Sequence, residues 1–117
     1  MPVHRRVHAP GSQVSVGTVT MTQGACDALE KAGSDSHDNQ VSRLMRDSLA
    51  RSLMDRHIRC DWGDISESDR DANDQAQIHG GERIVSAYTL PGQIRQTIWI
   101  ITEADRSVTT LLLPEEY

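Results

Sequence analysis

The last third of the chain decides the fold. Residues 82–90 (ERIVSAYTL), 93–102 (QIRQTIWIIT) and 106–114 (RSVTTLLLP) are three β-branched segments with alternating apolar side chains. Pro91-Gly92 separates the first two, and such a pair favours a type II turn because glycine accepts the positive φ. A short charged tip, residues 103–105, separates the last two. This strand–turn–strand–turn–strand order predicts a three-stranded antiparallel meander.

Upstream of the meander, one segment has strand character and three have helix character. Residues 14–20 (VSVGTVT) alternate, and Gly17 weakens them, so we expect a short edge strand. Apolar spacing and capping residues predict helices over about 22–32, 41–59 and 67–79. The expected fold is therefore α+β, with a three- or four-stranded antiparallel sheet and two or three helices packed on one face.

Length and composition limit the organisation of the chain. Its 117 residues suffice for one domain, and aromatic residues make up only 3%, so the core must consist mainly of aliphatic side chains. Residues 1–13 show no apolar periodicity, and we expect a flexible N-terminal arm there. Residues 14–117 are expected to form the single domain.

Charge and cysteine content exclude several classes of protein. There are 12 basic and 17 acidic residues, a net charge of −5, which argues against a general binder of nucleic-acid backbones. No apolar run approaches the length of about 18 residues needed to span a membrane, and no apolar stretch follows the first arginines as in a secretory signal. Two cysteines are too few for a disulfide scaffold. We therefore expect a cytoplasmic protein.

One stretch carries the acidic character of the chain. Residues 61–74 (DWGDISESDRDAND) contain six carboxylates and one arginine, a net charge equal to that of the whole protein. Ser66 followed by Asp69 resembles a capping box, and acids in a first turn favour the helix dipole. Because unpaired carboxylates are costly to bury, we expect all six to be exposed and to form a partner-binding surface. They are Asp61, Asp64, Glu67, Asp69, Asp71 and Asp74.

The sequence shows no recognisable catalytic or metal-binding signature. His57 and Cys60 are three residues apart, but a zinc site usually has a second close pair of ligands, which is missing here. The interpretation we favour makes Cys60 a small buried hydrophobe and His57 a helix C-terminal residue whose charge favours the dipole. The acids do not fit a calcium loop, and no serine lies in a nucleophile motif. We predict no catalytic residue, no metal and no cofactor.

The helix predicted over residues 41–59 has two notable faces. Its apolar stripe is long for so small a core, and we expect some of its members at an isologous dimer contact. The candidates are Leu44, Met45, Leu49 and Leu53. Five arginines lie mostly outside the stripe; we interpret them as a solvated face, with a DNA-binding surface as the alternative.

Two long motifs are less ordinary. Residues 56–76 combine RH, DWG and an acidic helix containing AND, and residues 84–117 combine SAY with the terminal WIITEADRSVTTLLLPEEY. With the upstream ALEKAG segment, they resemble a family of small bacterial proteins of plasmids, integrated elements and phages. These are usually labelled plasmid-related proteins or, misleadingly, type I restriction subunits. The resemblance implies a setting in a bacterial host that carries a mobile element, and it transfers no catalytic residue to this chain. The linking segment 33–52 is longer here than is usual in that family.

These observations lead to one expected function and two alternatives. We expect a small acidic, non-enzymatic interaction protein that binds a protein machine with a basic surface, such as a CRISPR or restriction complex, and inhibits it. The first alternative is a DNA-binding regulator that uses the arginines of residues 41–59. The second is a metal-assisted nuclease or accessory enzyme that uses Asp61, Asp64, Asp69 and His57.

Overall fold

The computed structural model describes residues 13–33, 38–92 and 95–117. Apart from Gln13, the expected N-terminal arm lies outside these residues, as do the first two residues of the predicted segment 93–102. In chain order the elements are β1 (Thr18–Met21), α1 (Gln23–Gly33), α2 (Asn39–Ile58), α3 (Glu67–His79), β2 (Ile84–Thr89), β3 (Thr97–Thr102), β4 (Val108–Leu112) and a 3₁₀ turn (Pro114–Glu116). The α+β fold is confirmed.

The four strands form one sheet in the order β1-β4-β3-β2. The predicted meander is confirmed: β2 pairs antiparallel with β3, placing Ser86 beside Ile100, and β3 pairs antiparallel with β4. The expectation of a wholly antiparallel sheet is wrong in one respect, because β1 pairs parallel with β4. A tight turn forces neighbouring strands to be antiparallel, whereas β1 and β4 are joined through all the other elements and escape that constraint.

Helices α1 and α2 cover one face of the sheet. Alanines of α1 let this helix lie close to the sheet, as its narrow apolar stripe predicts. The main core cluster contains Ala25, Ala28, Leu29, Ala50 and Leu53 from the helices, and Tyr88, Leu90, Ile98, Ile100 and Leu111 from the sheet and its margin. A second cluster contains Val14, Cys60, Trp62, Ala76 and Ile84. No helix in the described part of the chain is long and apolar enough to cross a lipid bilayer.

Helix α3 and the loop before it close the outer edge of β2. The Asn73 side chain pairs with the backbone of Val85, donating to its carbonyl at 2.8 Å and accepting from its N–H at 3.3 Å. Two residues further along, the Ala87 N–H donates to the Trp62 carbonyl, and the Ala87 carbonyl accepts from the Asp64 N–H. An open strand edge invites pairing with other chains, so this cover protects β2.

The C-terminal turn is fastened to the start of α1. Glu116 Oε1 accepts hydrogen bonds from the Thr22 hydroxyl and the Leu113 N–H, and its Oε2 accepts from the Gly24 N–H. A carboxylate at this position interacts favourably with the positive end of the helix dipole. The PEEY sequence therefore fastens residues 114–117 to the start of α1.

Candidate functional site

The loop that carries the acidic stretch begins where α2 ends. The Cys60 N–H donates to the His57 carbonyl at 3.1 Å, and the Asp61 N–H donates to the Arg56 carbonyl at 2.8 Å. This is the Schellman pattern, in which the residue after the C-cap adopts a left-handed conformation. Cys60 occupies that position with φ of 66°, although glycine is the usual choice. Its side chain is fully buried, as expected.

Asp61 is tied down immediately after the helix. Its carboxylate receives two hydrogen bonds from Arg56, at 2.7 Å from Nε and 3.3 Å from Nη2. Its carbonyl accepts from the Tyr88 hydroxyl at 2.6 Å, and the Arg56 guanidinium lies 4.6 Å from the centre of the Tyr88 ring. The hydrogen bond to Asp61 raises the pKa of Arg56 above its usual value. Asp61 is therefore a paired carboxylate that remains half-exposed.

Gly63 brings the loop against the sheet. It has φ of 75°, and a Cβ placed there would lie 2.0 Å from the Ala87 carbonyl oxygen and 2.7 Å from Tyr88 Cδ1. No side chain fits such a contact, so the Trp-Gly pair of the motif serves the close approach of two backbones.

Trp62 and Asp74 connect the loop to α3. The indole Nε1 donates a 2.9 Å hydrogen bond to Asp74 Oδ1, and both residues are buried. Asp74 is only 1% exposed, so its predicted place on a partner-binding surface is wrong. The prediction assumed that a buried carboxylate would have no hydrogen-bond donor. In the structure the Trp62 indole supplies one, which lowers the cost of burying Asp74.

Helix α3 begins as the capping signal predicts. Ser66 is the N-cap, and its hydroxyl accepts from the Asp69 N–H at 3.1 Å. Arg70, the one basic residue of the stretch, donates to the carbonyls of Gly63 and Ile65. These hydrogen bonds of Arg70 fix the conformation of the loop, and they go to backbone carbonyls instead of carboxylates.

Four of the six predicted acids are exposed on this loop and the helix start. We call them the acidic surface: Asp64, Glu67, Asp69 and Asp71. Asp64 also accepts a hydrogen bond from the Thr89 hydroxyl at 2.9 Å, which ties its carboxylate to the end of β2. Glu67 and Asp71 are four residues apart on α3 and so lie on one side of it.

His57 lies in a buried polar network instead of at a solvated helix end. Its Nδ1 is 2.6 Å from the Ser86 hydroxyl, and its Nε2 is 2.8 Å from that of Thr102. The network continues from the Thr102 hydroxyl to the Thr109 hydroxyl, which donates to the Val16 carbonyl. Because a carbonyl only accepts, each group must donate to the next one, from His57 Nε2 through the two threonine hydroxyls to Val16. This order places the ring proton on Nε2 and leaves Nδ1 to accept from Ser86.

The environment of His57 keeps its ring neutral. Burial, and secondly the charge of Arg106, lower the pKa of His57 to about 4. The prediction that a charged His57 favours the helix dipole is therefore wrong. The Ser86–His57 pair resembles a nucleophile and base, but both residues are fully buried and no substrate reaches them. A nuclease that uses His57 with the acids is also disfavoured, because both ring nitrogens already contact hydroxyl groups.

Arg106, a residue of the terminal WIITEADRSVTTLLLPEEY motif, has a structural role. It lies in the β3–β4 hairpin with φ of 63°. Its guanidinium donates to the Ala76 carbonyl near the end of α3, to the Glu82 carbonyl before β2, and to carbonyls of its own hairpin. These bonds fix α3, and with it the acidic surface, to the sheet.

The candidate dimer residues of α2 separate into two pairs. Leu44 and Met45 are 60% and 44% exposed, as a contact surface requires. Leu53 is only 5% exposed and belongs to the core, and Leu49 packs against that core, so the prediction is wrong for Leu53. The helix turns Leu53 inwards with Ala50 and His57.

Three of the five arginines in residues 41–59 form ion pairs within the chain. Arg46, Arg56 and Arg59 pair with Glu30, Asp61 and Asp55 respectively, and Arg46 also pairs with Asp47. This engagement reduces the positive charge that α2 offers to a nucleic acid.

Over the described residues, no group of three or more His, Cys, Asp and Glu side chains is arranged to hold a metal ion. Comparison of the chain with protein-family models, curated proteins and solved structures found no match.

Proposed function

We propose that the protein is a small non-enzymatic interaction protein of a phage or other mobile element. It acts in the bacterial cytoplasm, where its acidic surface binds a basic groove of a defence complex of the CRISPR or restriction type and blocks that groove. The observation that carries this proposal is the exposure of four carboxylates that lie close together in the sequence, on one loop and the helix start that follows it.

Charge supports this function over a DNA-binding one. The acidic surface concentrates negative charge. Arg70 donates to backbone carbonyls, and three arginines of residues 41–59 form ion pairs within the chain. A clustered charge of one sign steers a partner of opposite sign and raises the association rate. The resemblance of the terminal motif to mobile-element proteins supports the same setting.

The rigidity of the support adds to the argument. The loop is fixed by the Schellman turn, by the Gly63 contact and by the Trp62–Asp74 bond, while Arg106 fixes the far end of α3. Because the backbone that carries the carboxylates is already ordered, less of the interaction free energy is lost to ordering the loop on binding.

A phage-plating experiment tests the proposal. Cells that carry an active CRISPR or restriction system are challenged with a sensitive phage, with and without expression of the chain. We expect the chain to restore plating against at least one such system. Neutralising the acidic surface, as Glu67→Gln, Asp69→Asn and Asp71→Asn, should remove most of this protection.

A second triple variant serves as the matched control. Asp27→Asn, Asp55→Asn and Glu115→Gln change the net charge equally at exposed positions elsewhere and should keep protection. The proposal is contradicted if the wild-type chain protects the phage against none of the representative systems. It is also contradicted if both triple variants lose protection equally.

A further inference from the structure

The outer edge of β1 is open among the residues that the structure describes. β1 is the terminal strand of the sheet, and the N–H groups of Thr18 and Thr22 donate to β4 and the residue before it. Because backbone groups alternate in direction along a strand, those of Val19 and Met21 point away from β4. The strand Thr18–Met21 contains no charge and no proline, the features that usually protect an exposed edge.

A cleft of about 400 Å³ lies beside this edge, between β1 and α2. Its apolar lining comes from Val19 and Met21 of β1, Ala50, Met54 and Ile58 of α2, and Leu111 of β4. Val19 is 45% exposed although it is part of this lining. An open strand edge and an exposed apolar side chain thus occur at one place.

Two charged residues of opposite sign also line the cleft. Asp47 and Arg51 lie one turn apart on α2. Asp47 is paired with its neighbour Arg46, whereas Arg51 is exposed and makes no ion pair with the described residues. A surface with one acid and one base side by side is complementary to itself when rotated by 180°.

We propose that this edge and cleft form the contact between two copies of the chain. The two β1 strands pair antiparallel about a two-fold axis perpendicular to the sheet, which makes an eight-stranded sheet with both α2 helices on one face. The helices then run antiparallel, and Asp47 of each copy meets Arg51 of the other. Val19 of each copy is covered, and the exposed Leu44 lies on the neighbouring turn of the same flank.

This contact is independent of the acidic surface, because it uses the opposite edge of the sheet from the one that α3 covers. It also revises the contact predicted from the apolar stripe, since Leu53 takes no part.

Charge exchange tests the two-fold contact. Sedimentation of the wild-type chain should show a mass that rises with concentration from 13.0 kDa towards twice that value. Asp47→Arg and Arg51→Asp should each weaken self-association by about tenfold or more, because each brings like charges together twice. An equimolar mixture of the two variants should associate again, since the first variant presents two bases at these positions and the second presents two acids.

The matched controls come from the same helix. Asp55→Arg and Arg59→Asp alter an exposed pair with the same spacing that does not line the cleft, and they should leave self-association unchanged. In the wild-type chain, amide exchange at Val19 and Met21 should slow as concentration rises, which needs no variant.

Three results would overturn the proposal. The first is a wild-type mass of one chain at every concentration up to the solubility limit. The second is a dimer that neither charge variant weakens and in which exchange at Val19 and Met21 is independent of concentration. The third is two weakened variants whose mixture stays monomeric.

Discussion

The indole nitrogen of Trp62 donates a 2.9 Å hydrogen bond to the carboxylate of Asp74, and both groups lie inside the protein. This bond joins the loop after α2 to the middle of α3. The buried Asp74 therefore helps to fix the positions of the loop and helix that carry the exposed carboxylates.

Removing the indole donor should destabilise the protein. We expect Trp62→Phe to lower the free energy of unfolding by about 2–4 kcal/mol, because it leaves a buried carboxylate with one donor fewer and reduces packing. Urea unfolding measures the change. Trp99→Phe, the same substitution at a half-buried site, should cost about 1 kcal/mol or less. An equal loss of unfolding free energy in the two variants would show that the Trp62–Asp74 hydrogen bond makes no particular contribution to stability.

Gly63 should tolerate no side chain. Gly63→Ala combines a positive φ with a Cβ 2.0 Å from the Ala87 carbonyl, so the loop must move away from β2. We expect a loss above about 3 kcal/mol in the free energy of unfolding. Gly81→Ala is the control, because Gly81 has φ of 83° but open space around it, and it should cost only about 1–2 kcal/mol. Similar thermal denaturation of the two variants would contradict the close contact.

The neutral His57 should make stability depend on pH. Its pKa is about 4 in the folded protein and about 6.5 when unfolded, so the unfolded chain binds more protons between these values. Stability is then complete above pH 6.5 and falls as the pH is lowered towards 4, by about 3 kcal/mol in all.

Denaturant unfolding of wild-type and His57→Gln from pH 7.5 to 4.5 measures this contribution. The variant should be less stable at neutral pH, and the difference should narrow as pH falls. His79→Gln, at an exposed histidine, should run parallel to wild type. A constant difference between wild type and His57→Gln across the range would refute a buried neutral ring.

Glu116 should stabilise the protein only while it is ionised. Hydrogen bonds, first from the Thr22 hydroxyl and then from the N–H groups of Leu113 and Gly24, hold its pKa below the usual value. Stability from this carboxylate is therefore present above the ordinary glutamate pKa and is lost as pH falls through the lowered one. Glu116→Gln should lower Tm at pH 7, with little further loss in acid. Glu115→Gln should leave Tm unchanged, and an equal fall in both would exclude the fastening role.

Local signals predicted the elements, and long-range partners explain what was missed. The bounds of α3 follow from the Ser66 cap and from Gly80, which are neighbours of the helix in sequence. The burial of Asp74 depends on an indole 12 residues away, and the His57 network on hydroxyls 29 and 45 residues away. The parallel pairing of β1 likewise depends on how distant segments meet. A sequence pattern of neighbours contains none of these relationships.

The rate of association with a defence complex tests the central claim most directly. The complex is the one against which the chain protects in the plating experiment, and rapid-mixing kinetics are recorded at low and at physiological salt. Neutralising Glu67, Asp69 and Asp71 should slow association by about tenfold at low salt and change dissociation much less, because the acids act by long-range attraction. The wild-type rate should fall as salt screens the field, and the rate of the neutralised variant should fall less. Identical association rates for the two chains at low salt would show that the carboxylates are a solvated helix start and that another surface binds the partner.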